Sequence, residues 1–193
     1  MNIEDKLDKL LTDYSHVWKS KSAFMSWLRG GVRAGMWNKH PVKLDYIKTH
    51  RKQIKNPNPR GNKATVWGGT CDICKQDYVL NQLQVDHIRE DSAVLRDIKD
   101  LQSFIESITL VTAEDLRLVC KPCHTIVSYS QKENMSFEEA KIHKFVIDLC
   151  KKKLDKQWLL DHNLLVPTNA VKRKKLILDT LLEESKLNEI KEC

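Results

Sequence analysis

The chain has 193 residues, 31% of them charged, and a formal net charge of +7 at neutral pH. That length holds one domain or two small ones, and the basic excess points to a polyanionic partner, nucleic acid first. No apolar run approaches the ~18 residues of a membrane span, and the charged start MNIEDKLDKL lacks the pattern of a secretory signal; the expectation is an unsecreted, cytoplasmic protein without membrane contact.

Residues 3–17 carry Ile3, Leu7, Leu10, Leu11, Tyr14 and Val17 at helical spacing. Ser22 is the expected cap of a second helix running to Trp37, and Gly30, Gly31 and Gly35 weaken it. Those glycines suit close approach to another helix or to a phosphate backbone. Pro41 is expected to break the segment before a third helix over 44–54. From Val17 to Lys63 there are twelve Lys or Arg and a single acid, Asp45. Charge this one-sided reads as a grip on a DNA backbone through Arg29, Arg33, Lys39, Lys43, Lys48, Arg51 and Lys52. A solvated helical face is the alternative. The interleaved Trp18, Trp27 and Trp37 read as core side chains.

Residues 56–69 read as a linker, because the repeated Asn-Pro and Gly61 disfavour regular structure. Beyond it, Cys71 with Cys74 and Cys120 with Cys123 form two Cys-x-x-Cys pairs with 45 residues between them. Two such knuckles supply four thiolates, the full tetrahedral set of a structural zinc, and in an unsecreted chain metal is favoured over disulfides. A strand is expected over 83–88, with Leu83, Val85 and His87 on one face and Asp86 opposite. Glu90 and Asp91 follow and are assigned no role. Leu95, Ile98, Leu101, Phe104, Ile105 and Ile108 predict a helix over about 97–108 that caps the loop after the strand. A second strand is expected over 116–119, then a helix opened by Lys121-Pro122-Cys123-His124. Closing the zinc would bring Asp86-His87 and His124 towards each other.

Ser136 with Glu139 is a capping box for a helix over 137–153. Another helical stretch follows over 157–165, and Thr168 is the expected cap of a last helix to 186. Its Lys172-Arg173-Lys174-Lys175 run is a solvated face or a phosphate contact. Cys150 reads as a core thiol and Cys193 as a terminal free one. The expected organisation is a basic helical arm (1–55), the linker, a zinc core (70–133) and a helical extension (134–193).

The stretch from Cys71 to Tyr129 resembles the HNH endonuclease family in its zinc-containing form. That family reads Cys-x-x-Cys, a strand ending in Asp/Glu-His-Ile, a loop, then Asn-Leu-x-x-Leu-Cys-x-x-Cys-His and a helix. Here the matching residues are Val85-Asp86-His87-Ile88 and Asp115-Leu116-Arg117-Leu118-Val119-Cys120-Lys121-Pro122-Cys123-His124. The flanks resemble phage-borne, homing-type members more loosely. The resemblance implies an α+β, mostly helical chain with a ββα-metal core. It also implies metal-dependent hydrolysis of double-stranded DNA, by nicking or double-strand cutting, that leaves 5′-phosphate and 3′-hydroxyl ends. His87 would be the general base, a role that an imidazole of pKa ~6.5 suits. Asp86 and His124 would hold a catalytic divalent ion, Mg²⁺ or Mn²⁺, with Ni²⁺ or Zn²⁺ also admitted by such ligands. Asp115 stands where the family has Asn, either bracing the loop that carries the base or reaching the metal; Asp accepts hydrogen bonds but does not donate them. Val127 stands where a Lys is often found. A zinc-ribbon DNA-binding regulator without catalysis is the second expectation, and a grip on RNA the third.

Overall fold

The computed structural model describes residues 1–59, 63–88 and 95–191, with side chains up to residue 185. Glu90, Asp91 and Cys193 lie outside the described residues. The chain divides into two compact units, Met1–Lys121 and Pro122–Cys193.

In the first unit, α1 (Ile3–Asp13) opens on a capping box in which the Asp5 N–H donates to Asn2 and the Asn2 N–H donates back to Asp5. The chain turns out of it four residues earlier than the apolar spacing predicts. The next helix, α2 (Lys21–Gly35), is capped by Ser20 rather than Ser22, through the Ala23 N–H at 3.1 Å. A Cβ added at Gly30, Gly31 or Gly35 would meet nothing within 4 Å, so the three glycines serve no close helix approach. A 3₁₀ turn, Trp37–Lys39, leads to α3 (Pro41–His50). Pro41 opens that helix instead of breaking one, since its missing N–H is no loss in a first turn.

The segment expected to be a linker is a β-hairpin. Strand β1 (Lys52–Lys55) pairs antiparallel with β2 (Thr65–Thr70) from Lys52↔Gly68 to Lys55↔Thr65, and β3 (Asp77–Val79) pairs with the other edge of β2. The Asn-Pro run lies between the paired strands, where turn residues belong. Asn56 closes it, donating its N–H to the Ala64 carbonyl and its side-chain amide to the Lys63 carbonyl, both at 2.9 Å. Gly68 and Gly69 are needed inside β2. A Cβ at Gly68 would strike the backbone oxygen of Tyr78, and one at Gly69 would come within 2.6 Å of Leu118 Cδ2.

Strand β4 (Leu83–His87) pairs antiparallel with β5 (Leu116–Cys120), register Leu83↔Cys120 to His87↔Leu116. Leu83 and Val85 are buried and Gln84 is exposed, the alternation expected of them. Between the strands, a 3₁₀ turn (Ile98–Asp100) and α4 (Leu101–Thr109) form the expected helix. Phe104 and Ile108 of α4 join Leu95 and Met25 in one buried cluster, with Phe24, Leu28, Val32 and Trp37 packed on it. The apolar stripe of α4 is therefore spent on α2. Three polar ties reinforce this: Lys21 to Asp97 at 2.7 Å, Arg29 to the Leu95 carbonyl at 3.4 Å, and a His40 Nε2 contact with the Thr109 carbonyl at 3.1 Å. The basic arm thus packs directly on the segment between β4 and β5, without an intervening linker.

The helix α5 (Lys121–Glu133) begins at the division between the units. The second unit continues with α6 (Phe137–Lys151), α7 (Asp155–Asp161) and α8 (Ala170–Lys191). The Ser136–Glu139 capping box opens α6 as its letters predict. The cap of α8 is Asn169, whose side chain accepts from the Val171 and Lys172 N–H groups, and not Thr168. Val146, Leu159 and Ile177 are fully buried at the centre, with Cys150 packed against them. Arg173 is also buried. Its Nε donates to Asp155 at 2.6 Å and its Nη1 to the Pro167 and Thr168 carbonyls, so the lysine-arginine run does not present all four of its cations to solvent.

Candidate metal centre and the strand end beside it

One thiolate cluster dominates the metal-ligating groups. The sulfurs of Cys71, Cys74, Cys120 and Cys123 all lie within 4.8 Å of one another, and Cys74 and Cys120 are 4.0 Å apart. Four sulfurs at ~2.3 Å from a tetrahedral zinc sit roughly 3.8 Å apart, so the cluster fits that ion with little adjustment. Among the described residues it is the one group of three or more metal-ligating side chains so placed.

The backbone explains the fit. Lys75 adopts φ 58°, which turns the chain back so that its N–H reaches the Cys71 carbonyl at 2.9 Å. The Cys120 N–H donates to Cys71 Sγ at 3.3 Å. Asp72 docks the knuckle on β5 twice: its N–H donates to the Leu118 carbonyl and its carboxylate accepts the Leu118 N–H, both at 2.7 Å. The Tyr78 hydroxyl lies 3.7 Å from Cys74 Sγ. Sequence reasoning missed Asp72 and Tyr78; each stands one residue from, or four residues after, a knuckle cysteine, where partners that orient ligands are worth seeking.

Asp86 and His87 end β4. The Asp86 carboxylate accepts two hydrogen bonds from Arg117, across the ladder, at 3.1 Å from Nε and 2.9 Å from Nη2. Burial pushes the His87 imidazole below its ordinary value. The Asp86 and Asp115 carboxylates pull it up, and Arg33 and Lys43 add to the lowering. The ring is therefore neutral at pH 7. Its Nε2 is buried with no hydrogen-bond partner among the described residues, and its ring stacks on the Trp37 indole, centroids 4.5 Å apart and planes 28° apart.

Asp115 lies at the end of a 3₁₀ turn, Ala113–Asp115, just before β5. Its carboxylate accepts the Thr112 N–H at 2.8 Å and hydroxyl at 2.9 Å, and its carbonyl accepts the Ile88 N–H at 2.8 Å. Every one of these bonds uses Asp115 as an acceptor, so an Asp braces this turn without the donor that Asn would bring. His124 lies in the first turn of α5, in the second unit. On the same helix Cys123 and Val127 are buried one turn apart, so a lysine at 127 would occupy an inward position.

The cations expected to meet DNA divide into groups. Arg33, Lys39 and Lys48 are exposed. Arg29 turns inward to the Leu95 carbonyl, Lys43 lies half-buried over the Trp37 ring at 4.7 Å, Arg51 stacks on Trp67 at 4.4 Å, and Lys52 pairs with Asp77 at 2.8 Å. No helix among the described residues is long and apolar enough to cross a membrane. No family model, no curated protein and no solved structure matches the chain.

Proposed function

We propose that the chain is a metal-dependent endonuclease of the HNH type that hydrolyses DNA phosphodiester bonds, with β4, β5 and α5 as its ββα core. The observation that carries this reading is His87: a neutral imidazole at a strand end, beside a carboxylate, on a hairpin fixed to a four-thiolate cluster. Its buried Nε2 leaves Nδ1 as the nitrogen that takes a proton from water. The water oxygen then forms the new bond to phosphorus, and the electron pair of the breaking P–O bond leaves with the 3′ oxygen, which is protonated. The proton on His87 returns to solvent.

By the family resemblance alone, Asp86 and His124 would hold a catalytic divalent ion, which when bound supplies charge neutralisation at the phosphate and leaving oxygen. A carboxylate has about four lone-pair positions, so Asp86 can serve a guanidinium and a metal together. Exposed Arg33, Lys39 and Lys48 meet phosphates, and the affinity for duplex DNA falls steeply with salt.

The test is cleavage of supercoiled plasmid by the zinc-loaded chain with Mg²⁺ or Mn²⁺, and with EDTA. Wild type converts it to nicked or linear DNA only with metal. His87→Ala loses at least ~100-fold in rate while keeping its zinc and its DNA affinity. A wild type that shifts the plasmid's mobility and cuts nothing, including a library of candidate recognition sites, defeats the proposal. That outcome favours the second reading, a zinc-bearing DNA-binding protein. Its supporting observation is the Asp86–Arg117 pair, which gives Asp86 a structural use.

A further inference from the structure

A histidine that moves protons is ordinarily oriented by a hydrogen bond on its second ring nitrogen. His87 departs from that rule. Its Nε2 is buried and has no hydrogen-bond partner among the described residues, so no bond from them sets the ring's angle on that side. What lies against the ring is an indole from the N-terminal arm, stacked at 4.5 Å with planes 28° apart. The two side chains are 50 positions apart in the chain, so the contact comes from the tertiary fold and not from local geometry.

The indole is itself held. Trp37 packs on the cluster of Met25, Leu95, Phe104 and Ile108, Lys43 sits over its ring at 4.7 Å, and His40 lies beside it with ring centroids 6.1 Å apart. His40 in turn contacts the Thr109 carbonyl. A group can fix another's orientation only when its own rotamer is locked, and Trp37 meets that condition.

We infer that Trp37 is a positioning residue for His87: its stacked indole covers one face of the imidazole and sets its angle, taking the place of the usual hydrogen-bonded orienting group. The basic arm is then part of the catalytic machinery as well as a means of holding DNA. This rests on the endonuclease reading of His87.

The experiment uses the full zinc-loaded chain with ¹³C-labelled histidine, the His87 resonances being assigned by their loss in His87→Ala. Trp37→Leu fills the space without a ring, Trp37→Met is the second non-stacking variant should Leu fail to fold, and Trp37→Phe keeps an aromatic face. The His87 ring protons, shifted upfield by the indole, move downfield in the Leu or Met variant and only partly in Phe. In plasmid cleavage, the Leu or Met variant loses about 10–100-fold in kcat, the scale of a misplaced reacting group, with KM and zinc content unchanged. Phe restores most of the rate. Unmoved His87 resonances overturn the proposal, and so does a Leu or Met variant that cuts like wild type. If wild type itself cuts nothing, the endonuclease reading fails and the positioning role with it; a wild type that cuts beside an equally active Trp37→Leu removes the positioning role alone.

Discussion

Asp86 sits where two demands meet. As a ligand it would hold a divalent ion; as a partner it neutralises Arg117, a half-buried guanidinium that donates to it twice. Charge-assisted hydrogen bonds contribute about 1.5–3 kcal/mol, and a cation left without its anion costs a similar amount. Asp86→Asn is therefore expected to lower stability by about 1–3 kcal/mol in urea titration and also to abolish metal-dependent cleavage. Adding Arg117→Met removes the stranded charge. The double variant regains most of the stability but none of the cleavage, which separates the two roles by a mutant cycle. Equal recovery of both would show that Asp86 has no part in the metal chemistry. The letters Asp-His mark this position in the sequence, but Arg117 does not announce itself. It becomes visible only once the register pairs it with Asp86 across the ladder.

At the scale of elements, the two knuckles stand at strand ends. Cys71 follows β2, and Cys120 ends β5 just before the helix that carries Cys123. A metal held there ties strands of both sheets to the start of α5, so metal affinity and folding are linked. Cys120→Ser is expected to lose bound zinc, measured by metal analysis, and to lower the melting temperature. A strong chelator does the same to wild type, and added Zn²⁺ reverses it. An unchanged melting temperature after complete chelation would mean that the cluster holds no structural ion. The knuckle spacing was legible because metal geometry constrains sequence spacing directly. The β1–β2 hairpin was not. Its strands are only a few residues long, β1 is charged with Ile54 as its single buried side chain, β2 carries two adjacent glycines, and the Asn-Pro run between them carries the same signals as a loose linker.

At the scale of the whole molecule, the second unit holds a buried ion pair. Asp155 and Arg173 are 7% and 8% exposed, their side chains 2.6 Å apart. The Arg173 guanidinium holds the Asp155 carboxyl below the usual carboxylate range, against a smaller opposing effect of burial. A carboxyl whose folded value is depressed stabilises the fold above its unfolded value of ~3.9 and loses that contribution as pH falls towards the folded one. Thermal melts from pH 7 down to pH 2 are expected to show wild type ahead of Asp155→Asn at neutral pH, with the gap closing below about pH 4. A gap independent of pH would assign the pair no electrostatic role. Arg173 belongs to a run of four basic letters that read as one solvated face, yet burial removes it from that face. Composition counts a charge but does not say whether the fold neutralises it.

The sequence by itself determined the four clustered cysteines, the β4 and β5 strands with Asp86 and His87 at one end, the order of the helices, and the basic character of the first sixty residues. These are local matters: ligand spacing, period-two and helical alternation, caps and charge runs all act over a few residues. Only the tertiary structure decided that the arm packs on α4, that Trp37 lies on His87, that Arg117 takes Asp86, and that Arg29, Lys43, Arg51 and Lys52 are engaged within the protein. Except for Lys43 over the neighbouring Trp37, each of these joins residues well separated along the chain. The physical reason is that an apolar stripe or a cation states what kind of partner it needs, while chain topology selects which one it meets.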